Sequence, residues 1–308
     1  MSKLIPERPL YRRERLIVGY LMLAVLTLLF LCRLAGNLLD IPFGTLLGAF
    51  GIGILALALP ALIFVLVRGR GYTAVLRLRL PHATHVPLLL SAFFALLTGS
   101  MLLSILCGGL DTLGNTVASF GSRVYESAGE ALLAVLVLAI VPAVLEEFLF
   151  RGIVLAEYER RGAVRAVLLS ALLFALAHLD PHNLPAHVFA GVLLALAVFA
   201  TDSLPAAMLL HVLYRLTALF TQSYLNALYR MTGSVTLLLF LLVVVFLVAL
   251  LLTAHFAARI YRRRDEQKLR SPRRDVPWNV QFYTILDALS NPPLLLALVP
   301  AIVGMIIL

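Results

Sequence analysis

The chain has 308 residues, of which 62% are hydrophobic and only 13% are charged, with a formal net charge of +9 at pH 7. Soluble domains are about half apolar and about a quarter charged, so this composition excludes a soluble globular enzyme, a disordered protein and a disulfide-rich scaffold. The apolar residues occur in blocks of 17 or more. Because a membrane-spanning helix needs about 20 apolar residues, the sequence predicts an all-α, polytopic transmembrane helical bundle.

Nine apolar segments are predicted to form the membrane helices. The first follows a basic N-terminus and has no small-residue cleavage site after it, so it is expected to be retained rather than removed as a signal peptide. The last is short and contains Pro300, so the predicted number of spans is about eight to nine. In chain order, the segments are 16–36, 45–67, 86–108, 128–158, 163–179, 185–201, 203–221, 235–257 and 292–308.

The basic residues are distributed as expected for a membrane protein with a cytoplasmic N-terminus. Each cluster of Lys and Arg flanks an apolar segment, whereas the alternate connectors carry almost no positive charge. Because positively charged loops stay on the cytoplasmic side, we predict a multi-pass protein of the cell membrane with its N-terminus in the cytoplasm. The positive charge then reflects topology and contact with membrane lipids, and no nucleic acid partner is expected. The clusters lie at 1–15, 68–79, 151–165 and 259–274.

The connector 258–291 is predicted to be a basic cytoplasmic segment. Its second half, 276–290, mixes aromatic and polar residues, which is typical of an amphipathic helix lying at the membrane interface. Cys32 and Cys107 fall in separate apolar segments, so both are expected to be inert packing residues.

Ionisable side chains inside the apolar segments are the candidate functional residues, because each costs a few kcal/mol to place in a membrane. Glu147 and Arg151 are four residues apart and can pair on one helix face, which suits a structural role as well as a catalytic one. Glu146 points about 100° away from Glu147 and has no cation at i+4. We therefore expect it to be unpaired and available as a general base or acid. The six candidates are Glu146, Glu147 and Arg151 in the fourth segment, His178 in the fifth, and His211 and Arg215 in the seventh.

Glu146, His178 and His211 are expected to lie at one depth in the membrane. Residues 146 and 178 are equally far from the polar turn at 159–162, so an antiparallel hairpin places them side by side. His211 lies nine residues after Asp202, about 13 Å along a helix, which is a similar depth. A carboxylate and two imidazoles in a water-accessible cavity suit hydrolysis. The sequence lacks the H-E-x-x-H and G-x-S-x-G patterns of zinc and serine hydrolases.

The order of these residues resembles that of a known family. The chain reads E-E-F-L-F-R-G at 146–152, F-A-L-A-H at 174–178 and H-V-L-Y-R at 211–215. The first two match E-E-x-x-x-R and F-x-x-x-H. Together they resemble the CPBP family, the membrane endopeptidases related to type II CAAX prenyl proteases and abortive-infection proteins. The resemblance covers 128–221, which is then expected to be the catalytic core of a single membrane domain over 1–308.

The resemblance implies an intramembrane endopeptidase that acts on a peptide or protein near the bilayer, with or without an attached lipid. Glu146 with His178 would activate water for attack on the scissile carbonyl, and His211 would help to stabilise the oxyanion. Glu147 with Arg151 would hold the site together. Arg215 departs from the family's third motif, H-x-x-x-N or H-x-x-x-D. An arginine there can donate to an oxyanion, or it can pair with a glutamate and block the water.

Other functions remain open at this point. If the buried charges only fix helix packing, the chain is a non-enzymatic scaffold, a bacteriocin immunity factor or a pseudoprotease of the same fold. A transporter would also use buried Glu and His, but the sequence shows no inverted repeat. Glu146, His178 and His211 could bind zinc in principle. Their order and spacing match no zinc motif, so neither a metal nor another cofactor is expected. His182 and His187 flank the outer end of the sixth segment, where they could line the other mouth of the cavity, but exposure in a loop is the favoured interpretation.

Overall fold

The computed structural model describes residues 8–38, 46–108, 127–160, 162–266 and 277–307. These residues form helices joined by short turns, and no strand occurs among them, which confirms the predicted all-α polytopic bundle. In chain order the helices are α1 (Arg8–Leu38), α2 (46–68), α3 (Val86–Gly108), α4 (Ala128–Glu159), α5 (Ala163–Ala177), α6 (Leu184–Thr201), α7 (Leu204–Thr232), α8 (Val235–Glu266), α9 (Trp278–Leu289) and α10 (Pro292–Ile307).

The nine predicted apolar segments all contain helix, but they differ in whether they are long enough to cross a membrane. Within the described ranges, six helices are long and apolar enough, and a seventh span results if α9 and α10, which are bent by 64° at a short break, count as one broken span. Helix α5 is shorter than the ~20 residues that a span needs. Among the described residues, length and composition therefore support six or seven spans.

The short helix α5 lies in the interior of the bundle. Helix α6, the C-terminal part of α4, and helices α1, α9 and α10 pack around it. At the crossing of α5 and α6, a Cβ atom on Gly191 would lie only 2.7 Å from the Cα of Ala171. Glycine therefore allows these two backbones to approach closely, as small residues do in membrane helix pairs.

The outer helices pack on this centre as pairs. Helix α8 packs mainly against α3, and α10 packs mainly against α1. Only 17% of the most apolar window of α8 is buried inside the bundle, so most of this helix presents apolar side chains outward. An apolar outer surface of this kind suits contact with lipid chains.

Helix α4 is interrupted twice by π-helical stretches, Val135–Ile140 and Phe148–Val154. The second stretch begins directly after Glu147 and contains Arg151. A π-helical stretch holds more residues per turn than an α-helix and is frequently found at functional sites. Nothing in the apolar pattern of the sequence predicts these two irregular stretches.

Ion pairs fasten the connector between α2 and α3 to the ends of α4 and α6. Arg77, which has a positive φ of 51°, binds Glu159 at 2.7 Å and Asp202 at 2.9 Å. Arg68 binds Glu157 at 2.5 Å. Burial and the nearby Glu157 carboxylate raise the pKa of the Tyr72 phenol, which therefore stays neutral. These contacts fix the turns that precede α5 and α7 at the same end of the bundle.

Part of the connector 258–291 is also described. Helix α8 continues to Glu266, residues 267–276 lie outside the described residues, and α9 forms at the predicted position of the amphipathic helix. The placement of α9 at the membrane interface, the cytoplasmic N-terminus and the single-domain organisation stay predictions.

Candidate functional site

Glu147 and Arg151 form a fully buried ion pair in the middle of the bundle. Oε1 of Glu147 accepts a hydrogen bond from Nη1 of Arg151 at 2.8 Å and another from Nδ1 of His211 at 2.8 Å. Nη2 of Arg151 donates to the carbonyl oxygen of Gly191 at 3.2 Å, and its guanidinium carbon lies 4.2 Å from the centre of the Phe174 ring. One charge pair on α4 thus connects α5, α6 and α7.

Glu146 lies beside this pair and faces two imidazoles. Its Oε2 atom is 3.7 Å from Nε2 of His211 and 3.9 Å from Nε2 of His178. Both distances are too long for direct hydrogen bonds. Among the described residues, no donor reaches Oε2 within hydrogen-bond distance. The structure therefore brings together the carboxylate and the two imidazoles, which the sequence predicts to lie at the same depth in the membrane.

The hydrogen bonds of both histidines determine which ring nitrogen is unprotonated. Nδ1 of His178 donates to the carbonyl oxygen of Phe174 at 2.9 Å, because a carbonyl can only accept. Nδ1 of His211 donates to Glu147, and its Nε2 accepts from Nε of Arg215 at 3.3 Å. In its neutral form, His178 therefore has an unprotonated Nε2 near Glu146, whereas the lone pair on Nε2 of His211 is directed at Arg215.

Arg215 overturns the prediction that Glu146 is unpaired. Nη2 of Arg215 lies 2.5 Å from Oε1 of Glu146, and Nη1 lies 3.4 Å from the carbonyl oxygen of Leu138, in the first π-helical stretch of α4. The helix of Glu146 indeed offers no cation at i+4, but the cation comes from α7, which is the pairing that the sequence leaves open as the alternative to an oxyanion donor. The Arg215 side chain is 25% exposed, so this part of the site is the more accessible one.

His187 overturns a second prediction. It does not lie exposed in a loop but is half-buried in the first turn of α6, as the third residue after Leu184. Its ring stacks on that of His178, with centroids 3.9 Å apart and planes inclined by 22°. The only signal in the sequence was the short Asp-Pro turn between the two histidines, which brings the end of α5 next to the start of α6. His182, in the same turn, is exposed as predicted.

The residues at this site do not fit a catalytic metal ion. Within the described parts of the chain, no group of three His, Cys, Asp or Glu side chains is arranged to hold one. The guanidinium of Arg215 also lies against the Glu146 carboxylate that a metal would need as a ligand. A second positive charge at that carboxylate would be repelled by the first.

Comparison with known proteins gives a match to a protein family. A family model described as "Type II CAAX prenyl endopeptidase Rce1-like" matches residues 128–217. No curated protein and no solved structure matches the chain. The matched segment covers α4, α5, α6 and the first half of α7. It contains all the side chains described at the site, including His187 and Arg215.

Proposed function

We propose that this chain, which belongs to the CPBP family through residues 128–217, hydrolyses a peptide bond within the membrane with a water molecule activated by Glu146. The family is one of CAAX-type membrane proteases, and the helices around the site are those of a multi-pass membrane protein. The convergence of Glu146 Oε2 with Nε2 of His178 and of His211 carries the proposal.

The first step is attack by water. A water molecule donates hydrogen bonds to Oε2 of Glu146 and to Nε2 of His178. It loses one proton to the Glu146 carboxylate as its oxygen bonds to the scissile carbonyl carbon. The π electrons of the carbonyl move to its oxygen, which becomes an oxyanion. When the oxyanion collapses, the C–N bond breaks and the same proton passes to the leaving amine. General base and general acid catalysis of this kind contributes about 10²–10⁴-fold to a rate.

Arg215 is the donor that we assign to the oxyanion. Neutral His211 has no proton on Nε2, so it can donate there only after gaining a second proton. Arg215 has five N–H donors, and its three nitrogen contacts leave one N–H on each Nη atom. His211 then orients Arg215 by accepting from its Nε, and Glu147 orients His211. Donors fixed in advance at a developing charge are worth several kcal/mol to a transition state.

The substrate class follows from the family and from the position of the site. The site residues lie on membrane helices, and the side chains of Glu146, His178 and Arg215 are 11%, 20% and 25% exposed. A peptide or protein segment held near the bilayer, with or without a lipid, can approach this side of the site. The buried pair Glu147 and Arg151 keeps the helices in place and does not take part in proton transfer.

A second candidate function is that of a pseudoprotease or scaffold of the same fold. The observation in its favour is the ion pair between Arg215 and Glu146, which occupies one oxygen of the proposed base. If this pair does not open or turn towards substrate, the buried charges serve only to pack the helices.

The test compares the wild-type chain with Glu146→Gln in liposomes. The probes are an internally quenched peptide with a farnesylated CAAX terminus, its unprenylated twin, and the membrane proteome of the expression host, in which new N-termini are labelled. We expect Glu146→Gln to lower cleavage by about 10²–10⁴-fold, since the carboxylate is the proposed base.

The matched control is Glu130→Gln, which changes an exposed carboxylate in the first turn of the same helix and should cleave like the wild type. Thermal unfolding of all three proteins in detergent verifies that they fold. Wild-type protein that cleaves none of the three probes, or a Glu146→Gln variant that cleaves as fast as the wild type, would overturn the proposal.

A further inference from the structure

We propose that His187 is a positioning residue that holds the His178 imidazole in the orientation in which its Nε2 faces Glu146. This inference rests on the proposed hydrolytic function, because it assigns to His187 a task in the same reaction. His187 acts through the ring of His178 and not on the substrate.

His178 needs such support because it directly follows Ala177, the last residue of α5. Among the described residues, the ring of His178 makes one hydrogen bond, from Nδ1 to the Phe174 carbonyl oxygen, which fixes the position of that nitrogen but leaves the ring free to tilt around it. The Phe174 ring meets one side of the imidazole at 4.6 Å, with planes inclined by 68°. His187 supplies a nearly parallel contact at 3.9 Å. The two aromatic contacts together restrict the tilt.

His187 is itself held by the turn between α5 and α6. Its backbone N–H donates to the carbonyl oxygen of Asn183 at 2.9 Å. The Asn183 side chain is buried and donates to Oδ2 of Asp180 at 2.9 Å, while Oδ1 of Asp180 accepts from the Asn183 backbone N–H at 3.2 Å. The turn therefore has a defined shape that places the first turn of α6 beside the end of α5.

The position of Nε2 matters because proton transfer depends steeply on distance and direction. A displacement of about 1 Å at a reacting group costs as much as 10²-fold in rate. Only the face of the His187 ring is needed for stacking, so a phenyl ring should serve equally well. This requirement separates positioning from proton transfer by His187 itself.

The experiment measures kcat and KM for His187→Ala and His187→Phe, with whichever of the three probes above the wild type cleaves. We expect His187→Ala to lower kcat by at least about tenfold with little change in KM, because the displaced His178 affects the chemical step. We expect His187→Phe to keep nearly the wild-type kcat. His182→Ala, an exposed histidine in the same turn, is the control and should behave as the wild type.

A measurement without substrate separates this inference from the proposed function. In protein labelled with ¹³C-histidine, the Hε1 signal of His178, assigned by its loss in His178→Gln, should be shifted upfield by the neighbouring ring. The shift should disappear in His187→Ala and return in His187→Phe.

Wild-type protein without activity would count against the proposed function, and the NMR signal would still decide whether the stack exists. Unchanged kcat in a folded His187→Ala variant would overturn the positioning role. So would a His187→Phe variant as slow as His187→Ala, since the imidazole nitrogens would then be needed.

Discussion

Nδ1 of His211 lies 2.8 Å from the same oxygen of Glu147 that accepts a hydrogen bond from Arg151. The two adjacent glutamates of α4 therefore have different surroundings. Glu147 is completely buried and accepts a hydrogen bond from a histidine of α7, whereas Glu146 lies on the more accessible side of the site.

Arg151→Met should lower the free energy of unfolding by about 3–5 kcal/mol, because it leaves the Glu147 carboxylate buried without its cation. Denaturant unfolding in detergent micelles measures this change. The double variant Glu147→Leu/Arg151→Met should lose less than the sum of the two single variants, since it removes both charges together. Arg262→Gln, an exposed change on α8, is the control. A single variant as stable as the wild type would show that the ion pair has no structural role.

Substitutions of Arg215 should distinguish an oxyanion donor from a blocking cation. Arg215→Leu removes every donor at this position and should lower kcat by about 10²–10³-fold if Arg215 stabilises the oxyanion. Arg215→Asn, which restores an amide donor of the type found in the family motif, should retain much more activity than Arg215→Leu. Cleavage of the quenched peptide in liposomes measures both. A higher kcat in Arg215→Leu than in the wild type would instead identify Arg215 as the residue that blocks the base.

Gly191→Ala should weaken both the α5–α6 packing and the site. The added methyl group would lie 2.7 Å from the Cα of Ala171, so one of the helices must shift. Overpacking of this kind costs about 1–3 kcal/mol. The shift would also move the carbonyl oxygen of Gly191 away from Arg151, and we expect kcat to fall as well.

The control for Gly191→Ala is Gly51→Ala, in a helical part of α2 where an added Cβ meets nothing within 4 Å. This change should leave the midpoint of thermal unfolding in detergent equal to that of the wild type or above it, since alanine favours helix over glycine. Equal stability of the two variants would contradict the close packing of α5 and α6.

Arg77→Ala should lower the free energy of unfolding by only about 1 kcal/mol, because its ion pairs with Glu159 and Asp202 are partly exposed. The difference from the wild type should shrink as salt is raised, since salt screens exposed charges. Unfolding in detergent at low and high salt measures this effect. Arg259→Ala, an exposed change on α8, is the control. A loss that does not depend on salt would point to packing of the Arg77 stem instead.

The membrane helices were predictable because a long apolar segment in a lipid bilayer forms a helix, which satisfies its own backbone hydrogen bonds. The number of spans was less predictable, since apolar runs such as 163–179 can be either membrane spans or short buried helices. Only packing within the bundle separates the two. The proximity of Glu146, His178 and His211 followed from counting residues to the polar turns, which the ion pairs of Arg77 then hold at one end of the bundle.

The partner of Glu146 and the stacking of His187 were not predictable in this way. Counting along a helix finds partners at i+3 and i+4 on the same helix, but Arg215 lies on α7 and contacts Glu146 on α4. Its contact depends on how far α7 is rotated about its axis, which the sequence of α7 alone does not determine. His187 meets His178 because Asp180 shapes the intervening turn, and a list of loop residues carries no information on that shape.

The π-helical stretch Phe148–Val154 makes the winding of α4 critical. A substitution that let the same residues form a regular α-helix would rotate the preceding part of α4 about the helix axis relative to the following part, because each α-helical residue adds about 100° of turn and a π-helical turn, which holds more residues, adds less per residue. Both glutamates would then point away from α7, although every apolar side chain would keep its hydrophobic character. A substitution that hardly changes the hydropathy of α4 would thus separate Glu146 and Glu147 from the histidines of the site.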